Sequence, residues 1–209
     1  MSNVLPAALR LAALTSAVLP AHAESLVVGT GRTGLAPGSS HTLEVPRFRP
    51  ELGELRSVAV ELVFGLSSQL TVENLSLEAA VASGGFGCSA RLGLPQAHDG
   101  VQVALESPKF ALELAPFDGA IDFAGPSGAY LEHEALAAGS CVAGEDLARF
   151  VARAPGDMLS LPLELAGAAP IDLPPSAAGG LSVYADVHVV VRYEFEPVFP
   201  PAPIPAGMP

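Results

Sequence analysis

The feature that most constrains this chain is an alternation of apolar and polar side chains with a period of two residues. In the longest segment, 181–195, every odd-numbered residue is apolar or aromatic, and most even-numbered residues are polar. The same alternation recurs at 58–64, 101–106, 110–114 and 159–165. Successive side chains of a β-strand point to opposite faces, so each segment predicts an antiparallel strand with one buried face.

Clusters of Gly, Pro and Ser between these segments predict turns. They lie at 65–68, 84–85, 95–100, 116–119 and 179–180. Many short strands joined by such turns are typical of all-β proteins, and we expect an antiparallel β-sandwich of jelly-roll-like form. Pro162 lies inside a strand pattern and cannot donate a ladder hydrogen bond, so we expect its strand at a sheet edge.

One segment departs from the period of two. Residues 144–151 begin with glycine and carry Glu145 and Asp146 ahead of Leu147 and Phe150. Acidic residues in a first turn favour a helix, because they face the positive end of its dipole. We therefore expect one short helix here, with its apolar side chains covering an end of the sandwich.

The first 23 residues have the pattern of a secretory signal peptide. Arg10 precedes an apolar run at 11–19, Pro20 ends the run, and Ala21-His22-Ala23 places small residues where a signal peptidase cuts. We therefore expect export across the inner membrane, and a location outside the cell or on its surface.

The predicted domain organisation follows from that cleavage point. The signal peptide at 1–23 would precede a β-sandwich domain at 24–196 and a Pro-rich tail at 197–209. After the signal peptide, every apolar stretch is interrupted before the roughly 20 residues that a membrane span needs. We expect no membrane span once the signal is removed.

The charge of the mature chain argues against nucleic acid as a partner. Arg10 is the only charged residue of the signal, so removing it leaves nine basic residues against 22 acidic ones, a net charge of −13. Such a chain repels phosphate backbones.

The chain has two cysteines, Cys88 and Cys141. In an exported protein an even number of cysteines predicts a disulfide. Closing a loop of this length would stabilise the fold by about 4 kcal/mol in the chain-entropy model. Two unpaired thiols are the alternative.

Several stretches resemble, in order, a known bacterial family, the choice-of-anchor E domain. The most particular is 116–128, which reads PFDGAIDFAGPSG. Weaker agreement comes from VPRFRPELGEL at 45–55, VEN at 72–74, DLARF at 146–150 and the closing strand at 189–195. The resemblance covers roughly residues 24–196.

This resemblance implies an exported all-β domain without catalytic activity, linked to the cell surface and extracellular matrix. Members often carry PEP-CTERM anchors, in which a Pro-Glu-Pro motif precedes an apolar helix and a basic cluster. Here Pro201-Ala202-Pro203-Ile204-Pro205 leads to no recognisable anchor. This departure favours free release over attachment by that route.

Two acids in the 116–128 segment are the candidate metal ligands. Asp118 and Asp122 flank Gly119, and oxygen ligands on a tight loop suit Ca²⁺. The alternative is that Asp118 caps its own turn through backbone amides. In Glu132-His133-Glu134, a strand would turn both glutamates one way and the histidine the other, so all three could not hold one ion. We expect no cofactor beyond this possible Ca²⁺.

Tyr130 and Tyr184 are the candidate ligand contacts. Sugar-binding sandwiches present exposed aromatic rings, and this chain has no Trp and three Tyr. Tyr193 lies on the apolar face of its segment, which leaves the other two. A weak polysaccharide-binding module requires them to lie together on an exposed face.

We expect a non-catalytic module of the cell surface or extracellular matrix, with a structural or interaction role. Its partners would be extracellular polysaccharide or other surface proteins. Besides weak polysaccharide binding, the alternative is an unrecognised secreted hydrolase. That enzyme would need a pocket in which Asp118, Asp122 or another acid lies beside His98 or His133 with a shifted pKa.

Overall fold

The structure is a computed structural model that describes residues 23–95 and 100–198. The described residues form eleven β-strands and two short 3₁₀ turns. All but the last residue of the predicted signal peptide, and the Pro-rich tail from residue 199 on, lie outside the described residues. The strands are β1 (Glu24–Leu35), β2 (Ser40–Pro46), β3 (Gly53–Asn74), β4 (Ala80–Gly84), β5 (Gly87–Leu92), β6 (Val101–Glu106), β7 (Phe110–Leu114), β8 (Gly128–Ala143), β9 (Met158–Ala168), β10 (Ile171–Asp172) and β11 (Ala177–Pro197).

The strands form three antiparallel sheets. The long sheet has the order β1-β11-β3-β8, the short sheet β2-β9-β5-β6, and the end sheet β10-β4-β7. The chain crosses between sheets at most connections, and every strand pair is antiparallel. The predicted all-β sandwich is confirmed.

The core lies between the long and short sheets. Alternate residues of β3 and β11 point inward and meet alternate residues of the short sheet, as the period of two predicts. Phe48 and Phe150 close one end, where the Phe48 ring lies 5.8 Å from that of Tyr193 and 5.2 Å from that of Phe195. Fully buried members of this core include Val58, Val60, Leu62, Phe64, Leu161, Leu163, Val187, Val189, Val191 and Tyr193.

Two of the predicted turns are wrong. The segments at 65–68 and 179–180 lie inside β3 and β11, which run for 22 and 21 residues and pair along almost their whole length. The alternation continues through the first segment, because Leu66 and Ser68 are buried like Phe64 before them. Glycine weakens a strand, but pairing with a long partner strand on each side of β3 outweighs this cost.

The prediction of an edge strand for Pro162 is also wrong. Pro162 lies in β9, which pairs with β2 on one side and β5 on the other. Its carbonyl accepts a hydrogen bond from Gly93 N at 2.7 Å, just beyond the last β5 pair at Leu92. The nitrogen of Pro162 points to the same side as its carbonyl, toward Gly93 beyond the end of β5, so no hydrogen bond to β2 is lost and an internal strand tolerates the proline.

The short helix expected at 144–151 is a single 3₁₀ turn over Leu147–Phe150. Asp146 precedes it with a left-handed φ of 50°, so the expected acidic first turn lies outside the helical residues. Phe150 is buried at the end of the sandwich, as predicted. A second 3₁₀ turn, Pro50–Leu52, precedes β3 and was not predicted. Among the described residues, no helix has the length and hydropathy to cross a membrane.

Candidate functional site

The two candidate tyrosines lie on the outer face of the long sheet, the face turned away from the core. Tyr130 of β8 and Tyr184 of β11 are each 51% exposed. In register, Tyr130 lies opposite Thr71 of β3, and Tyr184 lies opposite Ser67. The tyrosines are therefore two strands and four residues apart, which is roughly 16 Å at the usual strand spacing and rise.

Polar side chains fill the space between the tyrosines. Gln69 of β3 and Glu132 of β8 are register partners, and Gln69 Nε2 donates to Glu132 Oε1 at 3.3 Å. Glu132 and Glu134 face outward while His133 points toward the interior, as the strand geometry predicted. The rings share an exposed face but do not form one compact site. Any ligand that touches both must be extended.

The other half of the same face carries exposed apolar side chains among polar ones such as Asp186, His188 and Arg192. Leu136 and Val142 of β8 are 60% and 65% exposed, and Val27 of β1 is 52% exposed. Register aligns Val27, Arg192, Ala59 and Val142 in one row across all four strands. This outer face therefore holds large exposed apolar or aromatic side chains on both edge strands and on β11.

The two candidate calcium ligands are engaged in their own turns. Asp118 Oδ1 accepts a hydrogen bond from Ala120 N, and Asp122 Oδ1 accepts one from Ala124 N, each at 3.0 Å. These are Asx turns, the alternative considered for Asp118. Within 23–95 and 100–198, no group of three or more His, Cys, Asp or Glu side chains is arranged to hold a metal ion.

The loop that carries these turns covers a buried carboxylate that the sequence did not single out. Glu73 is fully buried at the end of β3, and its Oε2 accepts a hydrogen bond from Phe123 N at 2.9 Å. A Cβ at Gly128, its register partner on β8, would collide with this carboxylate. Glu73 Oε1 and the hydroxyl of buried Ser127 have no hydrogen-bond partner among the described residues. The particular sequence at 116–128 thus corresponds to a loop folded over Glu73.

The structure does not form the expected disulfide, because Cys88 and Cys141 are free thiols. His133 of β8 contacts Phe86, which lies two residues before Cys88. Cys141 lies eight residues beyond His133 on β8, beside Leu94, so it is offset along the strands from Cys88. At ~3.3 Å per residue this offset greatly exceeds the ~7 Å limit on Cα atoms that a disulfide can join. Burial raises the pKa of both thiols, which keeps them protonated and weakly nucleophilic near neutral pH.

His133 lies in a cleft between β8 and the connection from β6 to β7. Its ring meets that of Phe86 edge-on, with centroids 5.7 Å apart. Its Nε2 is buried without a hydrogen-bond partner among the described residues. Neither Asp118 nor Asp122 lines this cleft, and His98 lies outside the described residues. The acid–histidine arrangement that the hydrolase alternative needs is therefore not formed by these two acids and His133.

Sequence reasoning missed two features of this region. Glu73 lies within the VEN stretch, but nothing in the sequence indicates that a loop 50 residues later covers it. The cleft joins residues of β3 and β8, Phe86 from the connection between β4 and β5, and the 107–110 segment, which only the tertiary fold brings together. Comparison of the chain with models of protein families, with curated proteins and with solved structures finds no match.

Proposed function

We propose that this chain is an exported, non-catalytic interaction module of the cell surface or extracellular matrix, and that the outer face of its long sheet is the contact surface. The observation that carries the proposal is the concentration of exposed apolar and aromatic side chains on that face. Val27, Tyr130, Leu136, Val142 and Tyr184 all lie there. Large exposed apolar patches mark interaction surfaces.

The resemblance to the choice-of-anchor E domain supports the compartment and the absence of catalysis in this proposal. It rests on the residues of this chain alone, above all on 116–128. The signal-peptide pattern at 1–23 supports export independently of that resemblance.

Polysaccharide is the second candidate partner, and the arrangement of the tyrosines favours it. Two half-exposed rings flank a strip that carries an amide and a carboxylate, and aromatic faces stack on sugar rings while polar groups bind hydroxyls. The separation of roughly 16 Å from strand geometry suits an extended chain rather than a single sugar unit.

The test fractionates cultures of the native host and compares the chain with a Leu136→Ser/Val142→Ser variant. We expect a species that begins at Glu24 in the supernatant, surface or matrix fraction. We expect the variant to lose surface or matrix retention while still being exported. Leu77→Ser is the matched control, because Leu77 is 87% exposed but lies outside the sheet face.

Two results would contradict the proposal. Retention of residues 1–23 in a cytoplasmic species would remove the export argument. Equal retention of the double variant and the Leu77→Ser control would show that the outer face is not the contact surface. Two results together would select the second candidate. Tyr130→Ala/Tyr184→Ala should lose retention, and added host polysaccharide should release the retained parent where salt does not.

A further inference from the structure

We propose that the cleft around His133 binds a small molecule that joins an apolar six-membered ring to a carboxylate. The cleft has a volume of about 180 Å³ and lies between the long sheet and the 107–110 turn. Apart from Glu132, whose side chain faces outward, the lining residues do not lie on the outer face of the long sheet, so this proposal stands or falls independently of the proposed function.

The walls of the cleft are mainly apolar. Phe86 and Phe110 contribute aromatic rings, and Leu70 and Leu131 contribute aliphatic side chains from β3 and β8. An apolar cavity of about 150 Å³ holds a benzene molecule, so this volume accommodates one six-membered ring with a small substituent. Because apolar walls cannot form hydrogen bonds with the hydroxyls of a sugar ring, the ring of the ligand should be apolar.

One polar atom faces this space without a partner. His133 Nε2 is buried and makes no hydrogen bond within the described part of the chain. Neighbouring polar groups are occupied: the Ser68 hydroxyl donates to the His133 carbonyl at 3.4 Å, and the Ser107 hydroxyl accepts from Phe86 N at 3.0 Å. An orphaned buried nitrogen is costly, and a ligand oxygen would satisfy it once the nitrogen carries a proton.

A single cation lies at the rim. Lys109 is the only lysine of the chain, and it lines both this cleft and an adjoining groove of about 660 Å³. Among the described residues it forms no ion pair. An ammonium and an imidazole that line one cleft favour a carboxylate substituent, since both can donate to its oxygens.

One opposing charge also borders the cleft. Glu132 lines it from β8, although its side chain faces outward and accepts a hydrogen bond from Gln69. Its carboxylate repels an anionic ligand. Removing that charge should therefore tighten binding, which gives the experiment an arm that a nonspecific apolar site would not show.

The experiment titrates benzoate into the full chain and follows backbone and side-chain NMR signals together with calorimetry. We expect shifts confined to Ser68, Phe86, Phe110, Leu131 and His133. Lys109→Met should raise the Kd severalfold, up to about fivefold, the contribution of one ion pair near a surface. Glu132→Gln should lower the Kd, and Arg32→Met, a matched loss of charge on β1, should leave it unchanged.

Three further arms decide the chemistry. Toluene should bind more weakly than benzoate if the carboxylate is recognised, and glucuronate should bind more weakly if the ring must be apolar. His133→Phe keeps an aromatic ring against Phe86 but removes the nitrogen, and it should weaken benzoate binding while leaving the thermal midpoint near that of the parent. Phe110→Ala should weaken benzoate binding through the apolar wall.

Any of three outcomes overturns the proposal. The first is the absence of shifts at the cleft residues up to millimolar benzoate, which would mean that water alone fills the space. The second is an unchanged Kd in both Lys109→Met and His133→Phe. The third is tighter binding of glucuronate than of benzoate, which would identify a site for sugar acids instead.

Discussion

Two segments of strand β3, 58–64 and 72–74, both contain fully buried side chains. Apolar side chains cover the first segment, and hydrogen-bonded loops largely cover the second. Phe64 and its inward neighbours face a large apolar cluster shared by both main sheets. At the other end, Val72 packs in a small cluster with Ala82 and Leu114, while Glu73 and Asn74 are buried under hydrogen-bonded loops. One end is held by apolar area and the other largely by polar contacts.

The difference teaches that burial alone does not indicate what holds a region in place. The Asn74 side chain donates to the carbonyls of Glu78 and Ala115, both at 2.8 Å, and accepts from Ser76 N at 3.0 Å. These bonds fix where two loops lie but add little apolar burial. We therefore expect substitutions at the apolar end to lower global stability, and substitutions at the polar end to release loops first.

The largest effect is expected from Phe64→Ala. Phe64 is fully buried at the centre of β3, so its truncation should lower the free energy of unfolding by about 3–5 kcal/mol, the cost of lost burial plus a cavity. Urea unfolding followed by circular dichroism measures this change. A loss below about 1 kcal/mol would contradict the assignment of this end as the main apolar core.

Asn74→Ala should have the next largest effect, about 2–3 kcal/mol, because it leaves two carbonyls and one amide without their partner. The sharper readout is local. Hydrogen exchange should accelerate at Ser76 and at Phe117, whose N–H donates to the Ser76 carbonyl, while the amides of β2 and β9 keep their protection. Gln69→Ala on the exposed face is the control. Uniform loss of protection across all strands would erase the distinction between the two ends.

The strand pattern at 58–64 and 181–195 was predictable, because a period of two over so many residues is compatible only with half-buried strands. The turns predicted at 65–68 and 179–180 failed, since glycine and serine inside a well-paired strand have the same local signal as a turn. The exposure of Tyr130 and Tyr184 was predictable from their parity with polar neighbours. Their mutual distance was not, because register between strands is a tertiary property.

The cysteine pair and the His133 cleft both show that the sequence does not indicate which strands become neighbours. An even cysteine count indicates a disulfide only when the fold brings the two Cα atoms within reach, and here the strands hold them apart. The cleft, conversely, draws single residues from strands far apart in sequence, so no spacing along the chain could indicate it. Both failures concern which strands become neighbours, whereas the successes concern the face on which a residue lies.

Glu73 allows the polar end to be tested with a matched pair of substitutions. Glu73→Gln keeps an oxygen that can accept from Phe123 N, so stability should stay within about 1 kcal/mol of the parent. Glu73→Ala removes that acceptor and leaves a gap beneath the loop, at a cost of about 1–2 kcal/mol and with faster exchange at Phe123. Thermal unfolding of both variants measures the effect. Equal destabilisation by Gln and Ala would mean that the charge, rather than the acceptor, holds the loop.

The smallest effect is expected from Tyr193→Phe, which tests a side-chain hydrogen bond inside the apolar end. The Tyr193 hydroxyl donates to the Pro46 carbonyl at 2.8 Å, so its removal should cost about 1 kcal/mol at neutral pH. Burial raises the pKa of Tyr193 to about 12, against a smaller lowering by Arg47. The folded state therefore retains this proton at higher pH than the unfolded chain does, whose tyrosine has a pKa near 10.

The contribution of Tyr193 to stability is accordingly complete below about pH 10 and is lost as pH rises through 12. The stability of the parent should fall toward that of Tyr193→Phe across this interval, because phenylalanine has no proton to lose. Urea unfolding of both proteins from pH 8 to 12 measures the difference, which cancels the titration of other groups. A constant difference across that range would show that the hydroxyl reaches solvent and that the apolar end is not closed around it.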